Sequence, residues 1–236
     1  MRNLEFYNAI FPDFWQSIVR PELVEDSHSM FGDAEVFKWI IQCVRPGEII
    51  EIGSWKGHSA NYMIDACKES GLISRIVCVD TFLGGPEHWL LKGMIETLHR
   101  KNGQPTILNN FLANTIARGN AGQVFPLCLD SGAAAKVLQR FDFKADLIFV
   151  DGAHDFDDVT RDIMKYYPFL SKDGVMFGDD YQHKPLADAV HQCAEALGVQ
   201  VLVFKRKWIY LNEALLQRFT LPGIQLRKSF EGWVHP

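Results

Sequence analysis

The chain has no surplus of positive charge. Its 24 lysines and arginines are outnumbered by 29 acidic residues, giving a formal net charge of −5. Binding to a phosphate backbone needs a basic footprint, so nucleic acid is not expected as the main partner. No apolar run approaches the roughly 18 residues of a membrane span, and no membrane partner is expected. The opening residues MRNLEFYNAIFPDFW carry acids and no clean apolar stretch, unlike a signal peptide. The five cysteines (Cys43, Cys67, Cys78, Cys128, Cys193) are scattered and mostly set in apolar runs. Without paired spacing they fit neither a disulfide framework nor a zinc site, and they read as reduced core thiols of a cytoplasmic protein. Internal repeats and low-complexity segments are also missing.

What is present is an ordinary globular balance: 236 residues, 47% hydrophobic and 22% charged, enough for one sizeable α/β domain. A helix is expected over 33–44, where Val36, Phe37, Ile40, Ile41 and Val44 share a face, Asp33 can cap the start and Pro46-Gly47 stops it. Strand-like runs follow at 49–52, 76–79, 124–129, 147–150, 175–177, 199–204 and 208–211. Helical patterns lie between them at 58–68, 106–118, 133–140, 156–167 and 186–197. Strands alternating with helices imply a parallel sheet covered on both faces. Only Lys205-Arg206-Lys207 joins the last two strands, whereas a parallel crossover needs about a dozen residues. They must form an antiparallel hairpin, which makes the sheet mixed and seven-stranded. The expected organisation is an N-terminal extension over 1–32, the domain over 33–211 and a tail over 212–236 packed on it. The loop over 81–105 lies at a strand's carboxyl end, where ligands bind.

Two apolar runs break at once into acid: IFVDGAHDF, with Asp151 and His154, and GVMFGDDYQ, with Asp179 and Asp180. Buried parallel strands deliver side chains to a site in this way. On neighbouring strands the three carboxylates would repel one another unless a cation lay between them. All-oxygen ligands favour a hard divalent ion, and His154 could accept a proton beside it. The plainer alternatives are that Asp179-Asp180 cap a loop and that His154 is a polar loop residue. Asp155, Asp157 and Asp158 read as helix starters.

The first strand ends in EIGSWKGHSA, a glycine turn that opens a helix and lets a ligand approach the backbone. The spacing is not GxGxxG, which argues against a pyrophosphate and so against a nicotinamide-dependent oxidoreductase. The second strand ends at Asp80, where a carboxylate can hold a ribose.

In this order EIGSWKGHSA, VDTF, LCLDS, FVDGAHDF and GVMFGDDY resemble the class I S-adenosylmethionine-dependent methyltransferases. They are most similar to metal-dependent O-methyltransferases of the catechol and macrocin/mycinamicin sugar type. The resemblance implies a Rossmann-like three-layer sandwich and S-adenosylmethionine as cofactor, with Mg2+ or Mn2+ beside it. Cofactor contacts would come from Glu51, Gly53, Ser54, Trp55, Gly57, Ser59, Asp80, Asp130, Ser131 and Asp151. Within that set Ser59 would bond the methionine carboxylate, Asp80 the ribose, and Ser131 with Asp130 the adenine. Asp151, Asp179 and Asp180 match the metal positions. His154 falls where the sugar enzymes carry a histidine base and the catechol enzymes a lysine, so the implied acceptor is a hydroxyl of a sugar, glycoside or related metabolite. A metal-independent methyltransferase and a non-catalytic binding module are the alternatives. Aromatic residues at both termini leave room for a homo-oligomer or a lid.

Overall fold

The computed structural model describes residues 2–18, 26, 32–212, 215, 219, 227–229 and 232–234. In chain order the elements are α1 (Leu4–Ile10), α2 (Ala34–Val44), β1 (Glu48–Ile52), α3 (His58–Glu69), β2 (Arg75–Asp80), α4 (Pro86–Leu90), α5 (Ile107–Ala117), β3 (Val124–Cys128), α6 (Ser131–Arg140), β4 (Ala145–Val150), α7 (Phe156–Tyr166), β5 (Leu170–Gly178), α8 (Lys184–Leu197), β6 (Gln200–Phe204), β7 (Lys207–Leu211), β8 (Arg227–Ser229) and β9 (Gly232–Val234).

Strand order is β3-β2-β1-β4-β5-β7-β6-β9-β8. The first five strands are parallel, and β7 runs antiparallel to both β5 and β6. The expected seven strands and hairpin are therefore present, and β8 and β9, from the tail, add two short strands beside β6. Pro126, which cannot donate to a ladder, sits in β3 at the sheet's edge.

The period-2 alternation of the strands divides the core between two faces. Ile50, Ile52, Val77, Val79, Ile148, Val150 and Met176 pack with α1, α6, α7 and α8. Ile49, Ile76, Cys78, Leu147, Phe149, Val175 and Phe177 pack with α2, α3 and α5. Both faces are covered, so β1 is buried at all five positions although it carries two glutamates. Each glutamate has a polar partner. Tyr7 Oη in α1 donates to Glu48 Oε2 at 2.9 Å, and Arg75 pairs with the same carboxylate. The Ser59 hydroxyl donates to Glu51.

One expected cap is absent. Asp33 has φ +56° and makes no side-chain cap to α2. Its carboxylate lies 3.2 Å from Lys205 Nζ, in the turn between β6 and β7. The β6–β7 turn is also shorter than expected, because Lys207 pairs with Phe204 as the first residue of β7. Cys43 is partly exposed and Cys128 exposed, while the other cysteines are buried and all are free.

Going outward from β1 and β4, the chain winds toward opposite edges of the sheet. The two strands therefore flank a switch point, where ligands settle at the carboxyl ends in open α/β sheets.

Candidate active site

The glycine turn after β1 is fixed from below by β4. Asp151 N donates to Ile52 O at 2.8 Å, and Gly53 N donates to Val79 O at 2.9 Å. Gly53 has φ +83°, and a Cβ there would lie 2.2 Å from the Asp151 carbonyl oxygen. Only glycine fits that crossing. From the other side Asp80, at the tip of β2, accepts from Ser54 N at 2.9 Å, Trp55 N at 2.8 Å and Phe82 N at 2.7 Å. Burial raises its pKa and these three donors work against the shift. An ionised carboxylate offers about four lone-pair sites, so the three N–H bonds leave room for a ligand hydroxyl.

Glu51 lies under the turn, fully buried. Burial pushes its pKa up to about 7, with the Ser54 and Ser59 side chains opposing. Among the described residues its second oxygen, Oε2, and the Ser54 hydroxyl have no well-aligned hydrogen bond, although the Ser54 side chain lies close enough to favour the charged carboxylate. Unpaired buried polar atoms are costly, so their place at a glycine turn marks a polar ligand site.

Two features of this turn have no clear signal in the sequence. Lys56 is fully buried, and its ammonium pairs with Asp26 from the N-terminal segment. Asp26 also meets His99 Nε2 at 2.8 Å, and its backbone bonds Asn114 in both directions, at 3.0 and 2.9 Å. The second feature is His88 in α4. Its place in the loop over 81–105 allows it to reach the cleft, and in the fold His88 is buried and stacks on Trp55 with ring centroids 4.1 Å apart. The loop over 81–105 is thereby pinned to the turn.

The acid-tipped strands β4 and β5 meet as expected, since Val150 pairs with Gly178 and the residues beyond them converge. His154 Nε2 lies 2.8 Å from Asp180 Oδ2. Asp151, His154 and Asp180 each present one ligand atom, all within 4.8 Å of one another. The histidine bond holds Asp180 down at about 2, and the same bond raises His154. Burial, joined by repulsion from Asp179 and Asp180, lifts Asp151 well above the usual carboxylate range. A cation between Asp151 and Asp180 would relieve the part of that repulsion that comes from Asp180, and these two residues have the oxygen donors a divalent ion takes.

Asp179 is not part of this group. Its Oδ2 accepts from Arg206 Nη2 at 2.7 Å and from the buried Lys207 ammonium, while its Oδ1 accepts from Asp180 N at 2.7 Å. Lys205-Arg206-Lys207, which reads as a solvated turn, thus supplies a buried cation. His183 also approaches Asp180, at 4.0 Å, and Gln182 donates to it at 2.9 Å. Asp130 and Ser131 stand at the start of α6, where Asp130 caps the helix through Ala133 N at 2.9 Å. A cavity of about 310 Å³ lined by Tyr167, Ser171, Gly174, Tyr210 and Asn212 opens at the opposite end of β5 and contains none of these groups.

Residues 50–181, which span the glycine turn and both acid-tipped strands, match the family model for a methyltransferase domain. The chain belongs to this methyltransferase family. The methyltransferase is 26% identical over 136 residues to uncharacterized protein R132 of Acanthamoeba polyphaga mimivirus, a match covering 56% of this chain and 51% of that protein. The chain therefore spans about half the length of that curated relative. Among solved structures it is similar to the O-methyltransferase from Bacillus cereus in complex with SAH, with TM-score 0.54, 13% identity and coverage of 78% and 82% of the two chains. It is also similar to the O-methyltransferase NovP, with TM-score 0.54, 17% identity and coverage of 79% and 83%. The TDP-rhamnose 3'-O-methyltransferase CalS11 gives TM-score 0.53, 14% identity and coverage of 75% and 78%. At these identities the likeness concerns the fold, which is that of class I, S-adenosylmethionine-dependent methyltransferases.

Proposed function

We propose that this methyltransferase moves the methyl group of S-adenosylmethionine to a hydroxyl of a sugar, glycoside or related small metabolite. The observation carrying the proposal is the pairing of His154 with Asp180 beside Asp151, at the carboxyl ends of β4 and β5 and next to the glycine turn. Methyl transfer to an alcohol is an in-line displacement. The protein's part is to align the acceptor oxygen behind the methyl carbon and to take its proton. Alignment alone can be worth effective molarities of about 10⁵ M or more.

His154 in its neutral form is the proton acceptor, oriented by its bond to Asp180. Asp151 and Asp180 would hold a divalent ion, Mg2+ or Mn2+. A bound ion would supply Lewis acidity toward the acceptor hydroxyl. On the cofactor side, Gly53 and Gly57 shape the turn together with Ser54 and Trp55, and Ser59 would reach the methionine carboxylate by releasing its hydrogen bond to Glu51. The unpartnered Glu51 Oε2 suits the methionine ammonium, Asp80 the ribose hydroxyls, and Asp130 with Ser131 the adenine.

The test is transfer of labelled methyl from S-adenosylmethionine to a panel of sugars, glycosides and phenols, with and without EDTA. Transfer to a hydroxyl that EDTA abolishes is the expected result. No transfer despite tight cofactor binding would favour a non-catalytic module. A second reading is favoured by the engagement of Asp179 with Lys207 and Arg206: a metal-independent methyltransferase in which fixed cations balance the acids. Full activity in EDTA would select it.

A further inference from the structure

We infer that Lys207 is a positioning residue of the active site: its buried ammonium takes Asp179 as a counter-ion, so that any divalent cation is held by Asp151 and Asp180 without Asp179. This inference rests on the proposal that a divalent cation binds at Asp151 and Asp180.

Geometry carries it. Both Asp179 oxygens are occupied, one by Lys207 and Arg206 and the other by the Asp180 amide. Lys207 is fully buried and Asp179 nearly so, at 5% exposure. A buried charge is retained only with a partner, and Lys207 Nζ has Asp179 on one side and the face of Phe37, 5.2 Å from the ring centroid, on the other. Asp180 takes up φ +59°, which turns the chain between the two acids. Asp179 faces the β6–β7 hairpin and Asp180 faces His154. Gly178 completes the arrangement, because a Cβ there would lie 2.4 Å from the Trp208 indole, the residue next to Lys207. The hairpin packs too closely on the end of β5 for Asp179 to swing toward Asp151 without breaking a buried ion pair. The three carboxylates also face two permanent cations, so the hairpin sets the charge that a metal ion meets.

The experiment is Mn2+ binding by calorimetry and electron paramagnetic resonance on the full chain. Asp180→Asn should weaken Mn2+ binding by at least about tenfold. The charge-balanced double variant Lys207→Met with Asp179→Asn should bind Mn2+ within about threefold of the natural protein. Lys207→Met alone leaves Asp179 with Arg206 as its one cation among the described residues, raises the local negative charge and should tighten Mn2+ binding by about tenfold. Should that variant fail to fold, the double variant, which buries no unpaired charge, still decides. Loss of Mn2+ binding in the double variant as severe as in Asp180→Asn would make Asp179 a ligand and overturn the inference alone. No Mn2+ uptake by the natural protein would overturn both the metal site and this assignment.

Discussion

Asp179 and Asp180 are adjacent in the chain, yet their carboxylates take different partners. One closes an ion pair with Lys207 at the β6–β7 hairpin, and the other is bonded at 2.8 Å to His154 in the loop after β4. The two neighbouring acids are therefore set apart by charge: one is held by a fixed cation, the other by an imidazole whose protonation can change.

His154 should be essential for turnover and dispensable for cofactor binding. His154→Asn is expected to lower methyl transfer by about 10²–10⁴-fold, the usual loss of a general base. Affinity for S-adenosylhomocysteine, measured by calorimetry, should stay close to that of the natural protein. An equal loss of cofactor affinity would instead place the imidazole in the nucleoside pocket.

The pair formed by Lys56 and Asp26 should matter for folding. Asp26→Ala leaves a fully buried ammonium unpaired, and removing one partner of such a pair costs about 3–5 kcal/mol. The urea midpoint should fall accordingly. A change under about 1 kcal/mol would mean that Lys56 finds water or another acceptor.

Gly53 and Gly71 offer a paired test of crowding against backbone strain. Both have positive φ, at +83° and +69°, but only Gly53 has a neighbour, the Asp151 carbonyl, where a Cβ would go. Gly71→Ala should cost about 1 kcal/mol, and Gly53→Ala at least about 3 kcal/mol with loss of cofactor binding. Equal costs would show that the β1–β4 crossing can open.

Glu51 predicts a pH dependence of stability. Its ordinary pKa of 4.5 rises to about 7 in the fold, so the folded protein holds this proton more tightly than the unfolded chain. Its contribution is fully present below pH 4.5 and is lost as pH rises through about 7, by up to about 3 kcal/mol. Glu51→Gln keeps an oxygen for Ser59 and cannot ionise, so stability measured by urea at several pH values should lose this decline. A parallel decline in the variant would assign the effect to another group.

The glycine turn and the acid-tipped strands were legible because each depends on local chemistry. Gly53 answers a close backbone crossing, and acids directly after apolar runs mark strand ends above a buried sheet. The alternation of strands with helices along the chain likewise implied a sheet covered on both faces. What local pattern could not supply was direction. Whether Asp179 faces the cleft or the hairpin depends on the left-handed turn at Asp180 and on Lys207, 28 residues away. Lys207 itself lies in a run of three basic residues that looks solvated until β5 and β7 are paired. Asp33 satisfies the pattern for a helix cap, yet long-range charge from Lys205 draws it elsewhere. Asp26 and His88 take their places from distant contacts, Asp26 with Lys56, His99 and Asn114 and His88 with Trp55, and no periodicity announces them.

The strand β9, parallel to β6 at Leu202 and Val203, leaves the three-residue β8 as the rim on that side. A protein truncated ahead of Arg227 would present the longer β6 as a bare ledge of amides and carbonyls, which other molecules can extend. Capping that edge is expected to limit edge-to-edge association at high concentration.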